Sequence, residues 1–84
     1  MHKTTKRFWM NYSKLPVEIQ QLADQKFELL KSDIRHPSLH FKNIGLYCSV
    51  RIGLEYRALA VENENVYTWV WIGNHEEYER LITK

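Results

Sequence analysis

Cysteine is almost missing from this chain of 84 residues; Cys48 stands alone. A single thiol excludes an internal disulfide framework and a four-thiolate zinc site. The three glycines are spread out, so no glycine-rich phosphate loop is present. No apolar run approaches the roughly 20 residues of a membrane-spanning helix, and no membrane partner is expected. The basic start, Met1 to Arg7, lacks the apolar stretch of a secretory signal, so the expected setting is the cytoplasm. His36 and His40 are four apart, but Pro37 prevents one continuous helix across them and no acidic partner is placed to complete a site. No metal or other cofactor is expected.

Net charge is also small, at +2. The total hides a division. Residues 1–57 hold ten Lys/Arg and five Asp/Glu, net +5, whereas residues 58–84 hold two and five, net −3. That asymmetry fits either a basic surface for an anionic partner or a solvated surface with charges unevenly dealt. The length suits one small domain, 1–84, with a thin core.

What is present orders itself into helices followed by strands. Residues 5–14 read as a short helix that Thr4 or Thr5 can cap, with Phe8, Trp9 and Tyr12 on one side. Pro16 opens a second helix running to about Lys31, with Ile19, Leu22, Ala23, Phe27 and Leu30 forming an apolar stripe. Ser32 to Ser38 is a loop. The period then becomes two. His40 to Ile44 is a short strand, Gly45 a turn, and Tyr47 to Ile52 alternates, with Cys48, Val50 and Ile52 on one face. Cys48 is therefore read as a core residue. Tyr56–Val61 and Val66–Ile72 are further strands around turn residues 62–65, and His75–Ile82 is a final short helix. The predicted class is α+β: an N-terminal helical hairpin on one face of a three- to four-stranded antiparallel sheet, a short C-terminal helix, and the other face left to water or a partner.

Two arginines stand on neighbouring strands. Arg51 points with Tyr47 and Ser49, away from the Cys48 face, and Arg57 follows across a short connection. They either converge on a phosphate, whose oxygens match the guanidinium fork, or pair with Glu55 or Glu62 as ordinary surface residues. His75 follows Gly73-Asn74 at the end of the last strand and is either a proton-transfer group or a plain helix-start residue. Tyr78 lies one helical turn on, placed to stack on a base or simply to pack. Lys42 and Arg35 add positive charge without a specific spacing.

Taken together, several stretches resemble the RelE/ParE superfamily of toxins from bacterial type II toxin–antitoxin systems. They are Leu15–Gln20, His36–Leu39 with Phe41-Lys42, Tyr47–Gly53, Tyr56–Leu59 and Trp71–Tyr78. The most telling are the Tyr56-Arg57 pair and the Gly73-Asn74-His75 step after the last long strand. The resemblance implies a toxin neutralised by a cognate antitoxin. One branch cuts mRNA, typically on the ribosome and without metal, by attack of the 2′-hydroxyl; another poisons DNA gyrase, and an inactive binding module is a third form. Matched by position, the resemblance makes Arg57 the residue that neutralises the developing phosphorane, Arg51 a second basic group, His75 the general acid or base and Tyr78 a nucleotide-orienting aromatic. Lys42, Ser49 and Arg35 are substrate-contact candidates, Ser49 standing where active members often carry a basic residue. The superfamily's N-terminal strand has no room here, because helical pattern begins by Thr5.

Overall fold

A computed structural model describes residues 1–83. Its order is β1 (His2–Thr4), α1 (Lys6–Ser13), α2 (Val17–Ser32), a single 3-10 turn (Pro37–Leu39), β2 (Lys42–Ile44), β3 (Tyr47–Arg51), β4 (Tyr56–Asn63), β5 (Val66–Asn74) and α3 (His75–Ile82). The α+β class and the three helices agree with the sequence reading. The sheet does not. It has five strands in the order β1-β5-β4-β3-β2, and β1 runs parallel to β5 while the other pairs are antiparallel. Among the described residues no helix is long and apolar enough to cross a membrane.

The expectation that no N-terminal strand fits is thus overturned. Three residues suffice because their partners are supplied from the far end of the chain. Tyr67 N–H donates to the Met1 carbonyl at 2.8 Å, and Thr5 N–H donates to the Trp69 carbonyl at 3.1 Å. Thr5 also ends the strand and starts the helix. Its backbone is extended, and its hydroxyl oxygen accepts from Phe8 N–H at 3.1 Å, which satisfies a free donor of the first helical turn. The same hydroxyl donates to the Trp69 carbonyl at 3.1 Å, so one side chain ties α1 to β5.

Pro16, at φ −56°, leads into α2 as its ring geometry favours. The helical hairpin is closed by polar bonds. Tyr12 Oη donates to Asp24 Oδ1 at 2.8 Å, and Gln20 Nε2 donates to the Tyr12 carbonyl at 3.0 Å. Phe8, Ala23 and Leu30 of the helices pack on Val50, Ile52, Ala58, Ala60, Trp69 and Ile72 of the sheet. A large apolar side chain buried this way contributes about 1.5–3 kcal/mol. Cys48 is also buried, and burial pushes its thiol above the ordinary range, away from nucleophilic thiolate.

The sheet's second face is not left to water. A bulge in β5 puts it there: Leu59 pairs with Trp71 and Ala60 with Trp69, so Val70 is the extra residue. Val70 and Trp71 both join Leu59 beneath α3, which covers them with Tyr78, Leu81 and Ile82. The β4–β5 turn is two residues, Glu64 and Asn65, at φ 51° and 67°, the positive pair that tight hairpins require.

Candidate functional site

The site is built where β3, β4 and α3 meet. Arg51 and Arg57 are register partners across the β3–β4 ladder, and Arg57 is in turn the partner of Gly73 on β5. Cross-strand partners share a face, so all three positions lie on the α3 side. Gly73 carries no side chain, and the indole of Trp71 occupies the space a Cβ would take.

Arg57 is half-buried and held twice. Its Nη1 donates to Ser49 Oγ at 3.1 Å, and its Cζ lies 5.1 Å from the centre of the Tyr78 ring, a cation–π contact. Ser49 is fully buried, so its hydroxyl acts on Arg57 and meets no solvent. His75 is the first residue of α3. Asn74 caps that helix by accepting from Glu77 N–H at 2.9 Å, and His75 N–H donates to the Glu55 carbonyl at 2.6 Å. The imidazole is half exposed. Its Nε2 sits 3.2 Å from Glu79 Oε1, one helical turn on, and its ring centre is 6.1 Å from that of Tyr78. Nδ1 has no hydrogen-bond partner among the described residues. Arg57, Tyr78 and His75 therefore form one group, with both the guanidinium and the imidazole against the Tyr78 ring.

Three candidates fall elsewhere or serve differently. Tyr78 is only 3% exposed and packs with Leu59 and Trp71, so its face is not free to receive a base. Arg51 does not converge with Arg57. Its Nε donates to the Gly53 carbonyl at 3.3 Å, and its Nη1 lies 3.5 Å from His40 Nε2. Arg35 is on the helix-covered side, stacked 4.4 Å from the Phe41 ring centre. Lys42 is exposed on β2 and is the register partner of Ser49, which puts it beside the Arg57 anchor. Neither Arg51 nor Arg57 forms an ion pair with a carboxylate among the described residues, and the Glu55 or Glu62 pairings are not made.

Of the three glutamates that neighbour His75 in the sequence, Glu76, Glu77 and Glu79, it is Glu79 that reaches the imidazole. Its signal was available: a carboxylate four positions after a histidine faces it on any helix. Chemically, the group offers a fixed guanidinium for an anion and a histidine with one ring nitrogen tied to a carboxylate and the other open.

A sequence model described as the ParE-like toxin domain matches residues 17–80. No curated protein matches the chain. Among solved structures, the fold is similar to a chain of the RelB-RelE antitoxin-toxin complex from Methanococcus jannaschii. There the TM-score is 0.76 at 14% identity, covering 94% of this chain and 96% of that one. It is also similar to a copper-bound mutant toxin from Helicobacter pylori, with TM-score 0.64, 12% identity, and 90% and 94% coverage.

Proposed function

The chain belongs to the ParE-like toxin family, within the RelE/ParE superfamily of toxins, and from that premise we infer that it is an mRNA-cleaving toxin held in check by a cognate antitoxin. The carrying observation is the pair of arginines. Like charges directly opposite one another in a ladder destabilise it, yet Arg51 and Arg57 occupy one register pair with no carboxylate between them. Such an arrangement suits a protein that meets a polyanion.

The reaction follows from the group around Tyr78. RNA supplies its own nucleophile, the 2′-hydroxyl, so the protein has to position, move one proton and stabilise charge. With His75 Nε2–H directed at Glu79, Nδ1 is left to accept the proton of the 2′-hydroxyl, and Glu79 stabilises the imidazolium that results. The 2′-oxygen attacks phosphorus, the P–O5′ bond breaks, and the same proton passes from Nδ1 to the 5′-oxygen. The products are a 2′,3′-cyclic phosphate and a 5′-hydroxyl. Arg57, fixed by Ser49 and Tyr78 before substrate arrives, stabilises the extra negative charge of the phosphorane.

The antitoxin is the partner this surface calls for in the resting state, through an acidic segment that covers Arg57 and Lys42. In the Methanococcus jannaschii structure the related toxin is in complex with its antitoxin.

A second reading has its own observation. Glu76, Glu77 and Glu79 all lie on α3 beside His75, and an acidic helix favours a protein target such as DNA gyrase over RNA or a ribosome. One pair of assays separates the two. In a translating extract the RNA reading expects new mRNA ends that vanish with Arg57→Ala. Intact mRNA together with trapped DNA breaks in a gyrase supercoiling assay would sink it.

A further inference from the structure

Arg51 lines a shallow, solvent-open depression of about 380 Å³, together with Leu22 and Lys26 of α2, Ser38, His40, Ile52, Gly53 and Leu54. Strand length explains why the depression exists. β2 begins only at Lys42, which pairs with Ser49, so the register would next place His40 opposite Arg51. His40 instead takes a left-handed conformation, φ 47° and ψ 50°, as it ends the 3-10 turn. A non-glycine residue held there carries local strain, which recurs at ligand-binding positions. The ladder stops, the edge of β3 opens, and Arg51 reaches into the gap.

The lining's charge is one-sided. Lys26 and Arg51 are both half-buried and His40 adds a ring nitrogen, while no carboxylate lines the depression. Neither Lys26 nor Arg51 forms an ion pair among the described residues. Two half-buried cations that line one depression without a carboxylate lose hydration uncompensated, so a bound anion would stabilise both. Ser38 supplies a hydroxyl at the same wall, though its Oγ now lies 3.0 Å from His36 Nδ1. A fork from Arg51, which His40 Nε2 orients as an acceptor, a point charge from Lys26 and the Ser38 hydroxyl match a tetrahedral oxyanion with several equivalent oxygens.

We propose that Lys26, Ser38, His40 and Arg51 form a second phosphate-binding pocket, separate from the Arg57–Tyr78–His75 group. It rests on the RNA reading only for the source of its phosphate, which is either a backbone phosphate beside the scissile one or free phosphate. Arg51 thereby acts in holding the strand and takes no part in bond breaking.

The test is an NMR titration of the purified toxin, followed by backbone amide shifts. One arm adds inorganic phosphate, the other a short 2′-O-methyl RNA that cannot be cut. Amides at Lys26, Ser38, His40 and Arg51 should move in saturable fashion. Lys26→Gln and Arg51→Gln should each weaken binding about tenfold, the loss of one charge-assisted contact. Lys31→Gln, a surface lysine outside the depression, should leave it unchanged. Unaltered shifts elsewhere certify that the variants fold. Movement with both ligands supports the pocket with RNA as source; movement with phosphate alone supports it with free phosphate as source. No saturable shift in either arm, or binding indifferent to both glutamine variants, overturns the proposal. Cleavage is not read here, so a failure of the nuclease reading and a failure of this pocket show up in different experiments.

Discussion

Arg57 on β4 stands directly opposite Arg51 on β3, yet the two guanidinium groups serve different neighbours, Ser49 and Tyr78 for the first and His40 and Gly53 for the second. Their replacement should therefore have unlike effects on stability. Arg51→Gln removes half of a like-charge pair and should leave unfolding free energy unchanged or raise it by a few tenths of a kcal/mol. Arg57→Ala strands the buried Ser49 hydroxyl and should cost about 1–3 kcal/mol. Urea unfolding of the two variants decides this; equal losses would mean the two arginines do the same structural job.

His75 and Glu79 are separable by chemistry. His75→Ala should lower the single-turnover cleavage rate about 10²–10⁴-fold, the usual worth of a positioned proton-transfer group. Glu79→Gln keeps a hydrogen-bond acceptor but removes the charge, so it should cost less. The fold should survive both, since neither side chain is buried. Cleavage at wild-type rate by His75→Ala would remove the histidine from the mechanism.

Gly73 should not tolerate a side chain. It sits beside Arg57 in the ladder, and a Cβ there would run into the Trp71 indole, with Cη2 at 3.0 Å. A packed ring between Leu59 and α3 has little freedom to give way. Gly73→Ala should destabilise by about 1–3 kcal/mol, the cost of overpacking. A thermal melt within a degree of wild type would contradict this.

Acid should loosen β1. His2 is stacked on Tyr67 and Trp69, and its Nδ1 accepts from Trp69 Nε1–H at 3.0 Å. Burial, then the neighbouring N-terminal ammonium, hold the imidazole below its ordinary value of 6.5. The unfolded chain thus binds a proton more readily than the folded one. The stabilisation is fully present above about pH 6.5 and is lost as pH falls through the depressed folded value. A protonated ring also has no lone pair for Trp69. Amide protection factors at Tyr67 and Trp69, normalised to the intrinsic exchange rate at each pH, should fall from pH 7 to pH 5 in wild type but not in His2→Phe; acid-insensitive protection factors in wild type would refute it.

Local chemistry carried much of the fold and part of the site. Thr5, Pro16 and the Ile19–Leu30 stripe act within four residues, and they set the two helices within a residue or two. Alternation around Cys48, Val50 and Ile52 fixed which face meets the helical hairpin, and with it the opposite side that Ser49, Arg51 and Arg57 share. The helix His75–Ile82 was equally legible from its polar N-terminal end and apolar Leu81 and Ile82.

Long-range pairing and packing were decided in three dimensions. β1 is three residues with no period to read, and it exists because β5, more than 60 positions away, offers a free edge. The Val70 bulge is a mismatch between two strands, so neither strand's pattern contains it. That bulge gathers Val70 and Trp71 under α3, buries Tyr78 and makes its ring the packing surface that Arg57 and His75 share. The sequence alone determined which residue types share a face, because side-chain direction follows backbone period. Only tertiary structure decided which of them meet: the early stop of β2 and the strained His40 draw Arg51 away from Arg57, and no local rule carries that information.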